Sequence, residues 1–144
     1  MDMKKVKLPF EVIELEEDSY HILLEIKLPN GAEGYAVIDT GASKTVLDKE
    51  FVGTEYKYEE NDTEMTSGGL GGDIGEIKLI TPEYILLENF EIVKPKLAVL
   101  DLSAINELYQ QHCNKTISAL IGSDFLVRYK AIIDYGKKQM TFTL

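Results

Sequence analysis

The sequence predicts an all-β domain, and three observations carry that prediction. Short runs rich in Val, Ile, Leu, Tyr and Phe recur along the chain, most of them shorter than a stable helix needs. Turn formers punctuate them: Pro29-Asn30-Gly31, the glycines around Leu70, and Gly136-Lys137. One stretch alone, Ser103 to His112, carries a clear helical period.

Taken in order, residues 6–28 read as two extended segments. Phe10-Glu11-Val12-Ile13-Glu14-Leu15 alternates imperfectly, a charged turn follows at Glu16-Glu17-Asp18-Ser19, and a β-rich run resumes at Tyr20. Asn30-Gly31 takes positive φ readily, so residues 34–38 are predicted to return as the second arm of a hairpin. That arm breaks at Asp39-Thr40-Gly41, and extended structure resumes at Thr45-Val46-Leu47. Residues 47–51 read as a connector and Tyr56-Lys57-Tyr58 as a strand. Four glycines in five residues, Gly68-Gly69-Leu70-Gly71-Gly72, predict an easily bent hairpin tip before the strand of Ile77, Leu79 and Ile80. A phosphate cradle would need a helix N-terminus and a lysine after those glycines, and neither follows.

Residues 84–87 and 90–100 read as strands interrupted near Pro95. In the helix, Ile105, Leu108, Tyr109 and His112 are predicted to share one face, with Ser103 placed to cap the first turn. Ile117-Ser118-Ala119-Leu120-Ile121 reads as a buried strand running into Gly122, with a short helix through Phe125, Leu126 and Val127. Ala131-Ile132-Ile133-Asp134-Tyr135 and residues 139–144 then close as a hairpin about Gly136-Lys137.

Composition narrows the function. At 144 residues and 44% hydrophobic content, the chain is most simply one domain with a genuine core. A formal net charge of -10 opposes nucleic-acid binding, since phosphates would be repelled. No apolar run approaches the ~20 residues that span a bilayer, and no signal-peptide core is present, so a cytoplasmic location without membrane contact is expected. One cysteine excludes an internal disulfide framework, and Cys113, His21 and His112 lack metal-ligand spacing. His112 and Cys113, being adjacent, point apart and do not form a base and nucleophile.

The informative stretch is Val37-Ile38-Asp39-Thr40-Gly41-Ala42-Ser43. A carboxylate that closes an apolar strand is costly without partners. The following Thr40 hydroxyl and unhindered Gly41 N–H can hold Asp39 in one orientation. This run resembles the active-site loop of the retropepsin-like aspartic proteases, the single-domain relatives of pepsin that include the retroviral proteases. The Gly-rich hairpin matches the flap in position, and Leu120-Ile121-Gly122 resembles the apolar-apolar-Gly strand that crosses beside the catalytic loop. The resemblance covers roughly residues 20–144.

It implies a closed or partly closed β-barrel with a helical insertion at about 102–114, packed on the barrel's side, and a short C-terminal helix. Asp39 would be catalytic, supported by Thr40 and Gly41. Ala42, Val46, Ile121 and the flap residues Gly69 and Leu70 would line the substrate pockets. Gly122 would permit a close backbone approach, and Asp124 would be structural. The chain has no second Asp-[Thr/Ser]-Gly, so the resemblance implies a homodimer whose paired acids share one proton and cut an extended peptide without metal or organic cofactor. The pattern departs from the retroviral enzymes at Ser43 and Lys44, where acids are common, and at Ser123, where an arginine is common. Two further readings carry forward: a peptide-binding or scaffold domain that does not cut, and a monomeric small-ligand barrel.

Overall fold

The structure, a computed structural model, describes residues 4–59 and 77–144; the hairpin expected around Gly69 and Leu70 lies outside the described residues. The chain opens with three strands rather than two: β1 (Lys5–Pro9), β2 (Glu11–Glu16) and β3 (Ser19–Lys27). Pro9 cannot donate to a ladder and ends the first, and the next N–H, of Phe10, donates to the Lys138 carbonyl at 3.0 Å. β3 turns through Pro29-Asn30-Gly31 into β4 (Glu33–Ile38), pairing Leu23 with Val37 and Leu24 with Ala36. Gly31 takes φ of 92°, and the Asn30 side chain accepts from the Ala32 N–H, as the turn chemistry predicts.

After the Asp39 loop comes β5 (Val46–Asp48), then a short helix α1 (Lys49–Val52) where the sequence suggested only a connector. Tyr56-Lys57-Tyr58 is not a strand; the segment bends, and Glu59 makes an isolated bridge to Leu79 instead. β6 (Lys78–Ile80), β7 (Tyr84–Leu87), β8 (Phe90–Val93) and β9 (Leu97–Leu100) follow, with a break at Pro95. The helix α2 (Ser103–Cys113), β10 (Ile117–Ile121), the short helix α3 (Ser123–Arg128), β11 (Ile132–Asp134) and β12 (Gln139–Thr143) complete the order.

Nine of these strands form one sheet in the order β6-β9-β5-β10-β4-β3-β7-β8, with β2 paired to β3. Among the described residues no ladder joins β6 to β8, and the large sheet is not closed into a barrel. A smaller sheet, β1-β12-β11, ties the two ends of the chain together. Period-two alternation gives the large sheet two apolar faces. Ala36, Leu47, Ala119 and Ile121 face a larger core with Leu8, Ile26, Phe125 and Phe142. Val37, Val46, Leu120, Leu100 and Leu23 face a smaller one with Tyr109. Each fully buried Leu, Ile or Phe contributes roughly 1.5–3 kcal/mol, which pins strand register because a one-residue slip would exchange the faces.

α2 does not pack as its sequence suggests. Its inward residues are Leu102, Ile105, Tyr109 and Cys113, while Leu108 is 39% exposed and His112 is exposed. Ser103 gives no side-chain cap; its N–H donates to Asp101 Oδ1 at 2.9 Å, and the Leu102 N–H donates to buried Asp48 at 2.9 Å. The Ser103 N–H, and after it the Ser103 hydroxyl, hold the Asp101 carboxyl below its ordinary pKa. The helix ends at Asn114, which takes the left-handed conformation and donates its N–H to the Tyr109 carbonyl. No helix among the described residues is long and apolar enough to cross a membrane.

Candidate active site

β4 delivers Asp39, and the sheet continues one residue past the strand's last pair. The Asp39 N–H donates to the Ile121 carbonyl at 2.9 Å, extending the parallel ladder between β4 and β10. The chain then folds on itself. The Gly41 N–H donates to Asp39 Oδ1 at 3.0 Å and the Ala42 N–H to the Asp39 carbonyl at 3.1 Å. One carboxylate oxygen is thereby fixed, and the half-buried acid sits behind a tip whose Thr40 and Gly41 are exposed.

β10 runs between β4 and β5, parallel to the first and antiparallel to the second, so the loop's two arms straddle it. The junction is locked by polar contacts. The Ser123 N–H donates to the Ala42 carbonyl at 2.7 Å, and the Gly122 N–H to Thr45 Oγ1 at 2.9 Å. Thr45 donates its hydroxyl to Asp124 Oδ1 at 2.7 Å and its N–H to Asp124 Oδ2 at 3.0 Å. Asp124 is thus a structural acid, spent on the loop. At Gly122 a Cβ would stand 2.8 Å from the Ala42 oxygen and from the Lys44 carbonyl, a distance real Cβ atoms essentially never show. The glycine is there because two backbones touch.

Of the predicted lining residues, Ala42, Val46 and Ile121 are all buried. Ile121 turns into the larger core, opposite to the face of Val37 and Val46, because strand alternation places it there. The residue of β10 that shares the face of Val46 is Leu120. Gly69 and Leu70 lie outside the described residues. Sequence reading gives Thr45 no role; a lone hydroxyl at the start of an apolar strand, with an acid two residues after Gly122, is the available signal.

Tyr109 is the other residue that reading undervalued. It is 4% exposed, packs with Val37, Val46 and Leu120, and meets the His21 ring edge-on at 5.7 Å between centroids. Its hydroxyl pKa is pushed up to about 12, first by burial, then by the neighbouring Cys113 thiol and the Asp39 carboxylate. Among the described residues no three carboxylate, imidazole or thiol side chains gather as metal ligands.

α3 starts at the Gly122 junction and leaves Val127 76% exposed, and β11 exposes Ile132 at 58%. Among the described residues β12 of the small sheet is paired on both sides, and β1 and β11 are its edge strands. The β1 edge carries Lys5, Lys7 and Pro9, residues that discourage further pairing, whereas Ile132-Ile133-Asp134 of β11 lacks such protection.

Comparison with solved structures places the fold. The chain is similar to a crystal structure of a retropepsin-like aspartic protease from Rickettsia conorii, with TM-score 0.54 and 18% identity over 99% of this chain and 92% of that one. It is similar also to the retroviral protease-like domain of Ddi1 from Leishmania major, with TM-score 0.51 and 18% identity over 85% of this chain and 87% of that one. No family model matches the sequence, and no curated protein does. At that identity the likeness establishes the retropepsin-like fold.

Proposed function

We propose that this chain, folded as the retropepsin-like aspartic proteases are, is an aspartic endopeptidase that works as a homodimer. The observation that carries the reading is Asp39 itself: one carboxylate, fixed by the Gly41 N–H, at a loop locked to β10 and tipped by exposed Thr40 and Gly41. A single acid is half of the machinery. With the Asp39 of a second copy beside it, the pair would share one proton, because two adjacent carboxylates do not both ionise. The ionised member takes a proton from a water held between them, and that water attacks the peptide carbonyl. The protonated member donates to the carbonyl oxygen; the proton taken from water then passes to the leaving nitrogen as the C–N bond breaks, and the re-forming carbonyl returns its proton to the pair. Thr40 would brace the two loops against each other, and the substrate would lie extended as an added strand. The unguarded β11 edge and the exposed Ile132 and Val127 suit contact with the second copy.

The alternative, a domain that binds peptide without cutting, draws on one observation: α2 fills the apolar face nearest Asp39. Incubation with an unfolded protein from acid to neutral pH separates the two. Cleavage is expected from the wild type and none from Asp39→Asn. Excess Asp39→Asn protein should also suppress wild-type cleavage by forming mixed dimers. Proteolysis that persists in the variant, or that is indifferent to added variant, would remove the proposal.

A further inference from the structure

We infer that α2 is a fixed wall of the substrate cleft and that Tyr109 sets the size of side chain accepted beside the scissile bond. The inference rests on the proposed protease reading and deepens it. Its starting point is alternation along β4. Ala36 and Ile38 turn to the larger core and Val37 to the smaller. Because Asp39 keeps the ladder through its N–H to Ile121, it continues on the side of Val37, two residues earlier. That is the side on which α2 lies. Tyr109 is the one α2 residue fully seated there, among Val37, Val46 and Leu120. The carboxylate is close enough for its charge to raise the tyrosine hydroxyl's pKa.

The helix is built in rather than draped over. Asn106 bonds both backbone groups of Ile117, donating from Nδ2 to the carbonyl at 2.9 Å and accepting the N–H at Oδ1. Gln110 donates to Thr116 at 2.9 Å, and the Cys113 thiol donates to the Tyr109 carbonyl at 3.2 Å. His21 closes the ring's other side. α2 is therefore clamped to the start of β10, whose far end holds the Asp39 loop. A peptide lying across Asp39 then meets a face that Tyr109 already occupies, which disfavours large side chains beside the scissile bond.

The test is a set of peptides that differ only in the residues flanking the cleaved bond, cut by wild type, Tyr109→Leu and Tyr109→Phe. Wild type should prefer small aliphatic over aromatic residues at one flanking position. Tyr109→Leu should shift the kcat/KM ratio toward aromatic residues by roughly ten-fold or more, mostly through KM, the scale of discrimination that apolar pockets reach. Tyr109→Phe keeps the ring and should keep the preference. An unchanged ratio in a folded Tyr109→Leu protein would overturn the inference while leaving the protease reading intact. Should that variant fail to fold, Asp39→Asn protein carrying 3-fluorotyrosine serves instead, with the Tyr109 signal assigned through Tyr109→Phe. Saturation with a peptide bearing a reduced bond at the cleavage site should move that signal, and a stationary signal overturns the inference. Absence of any cleavage by the wild type removes both readings together.

Discussion

Thr45 and Asp124 are joined twice, hydroxyl to one carboxylate oxygen at 2.7 Å and backbone N–H to the other at 3.0 Å, across 79 residues of sequence. The pair fastens the loop that carries Asp39 to the segment after β10. Thr45→Val keeps the shape, deprives the Gly122 N–H of its acceptor and leaves Asp124 Oδ1 with the Phe125 N–H alone. We expect a loss of about 2–4 kcal/mol, the scale of breaking buried bonds to a charged group. Urea denaturation measures it; a loss below about 0.5 kcal/mol would contradict the assigned role.

Gly122→Ala should cost about 2–3 kcal/mol, because the new methyl meets backbone rather than a side chain that can swing aside. Cleavage should fall more than stability does, since the loop that must shift carries the acid. A variant with wild-type melting and wild-type turnover would show that the close approach does not matter.

Dimerisation should depend on the β11 face and on salt. Ile132→Lys places a charge at an unguarded edge and should weaken self-association at least ten-fold in sedimentation, with the monomer's melting little changed. Each chain carries a net charge of -10, so association should also weaken as ionic strength falls and screening lengthens from ~10 Å at 0.1 M to ~30 Å at 0.01 M. A dissociation constant that tightens in low salt would count against a like-charged pair.

Buried Asp48 predicts a pH effect. Burial raises its pKa first, and the nearby Asp101 and Glu50 carboxylates add to this, against the Leu102 N–H that lowers it. The folded chain therefore holds this proton to higher pH than the unfolded chain does. The resulting stabilisation is complete below the ordinary aspartate pKa and is lost as pH rises through the raised one. Asp48→Asn keeps an acceptor for Leu102 and should melt higher than wild type at neutral pH, with the gap closing in mild acid. A gap that is constant from pH 3 to pH 8 would refute this account.

Much of this architecture was legible in the residues because local chemistry and the tertiary answer agreed. Asn30-Gly31 turns where the turn rule says, Pro95 breaks where proline must, and the apolar run into Gly122 is a buried strand with a crowded end. The misreadings lie where a partner outside the element itself decided the outcome. Leu108 and His112 fit a helical stripe, yet Asn106 ties α2 to Ile117 and rotates Leu102, Ile105, Tyr109 and Cys113 inward. Ser103 looks like a cap, yet Asp101 supplies the acceptor. Tyr56 and Tyr58 have strand propensity but pack individually against the larger core. The family resemblance names Ile121 as a lining residue, whereas the β4–β10 register sets Leu120, not Ile121, beside Val37.

The first and last strands described pair within the same molecule, and the Leu144 N–H to the Lys4 carbonyl carries that ladder one residue further. Among the described residues this small sheet forms without a strand from a neighbour. Under the proposed reading, maturation and turn-on are then separate events: a newly made chain can rest as a finished but inert single unit. Activity would rise with the square of concentration while pairs are scarce, which makes abundance itself the switch.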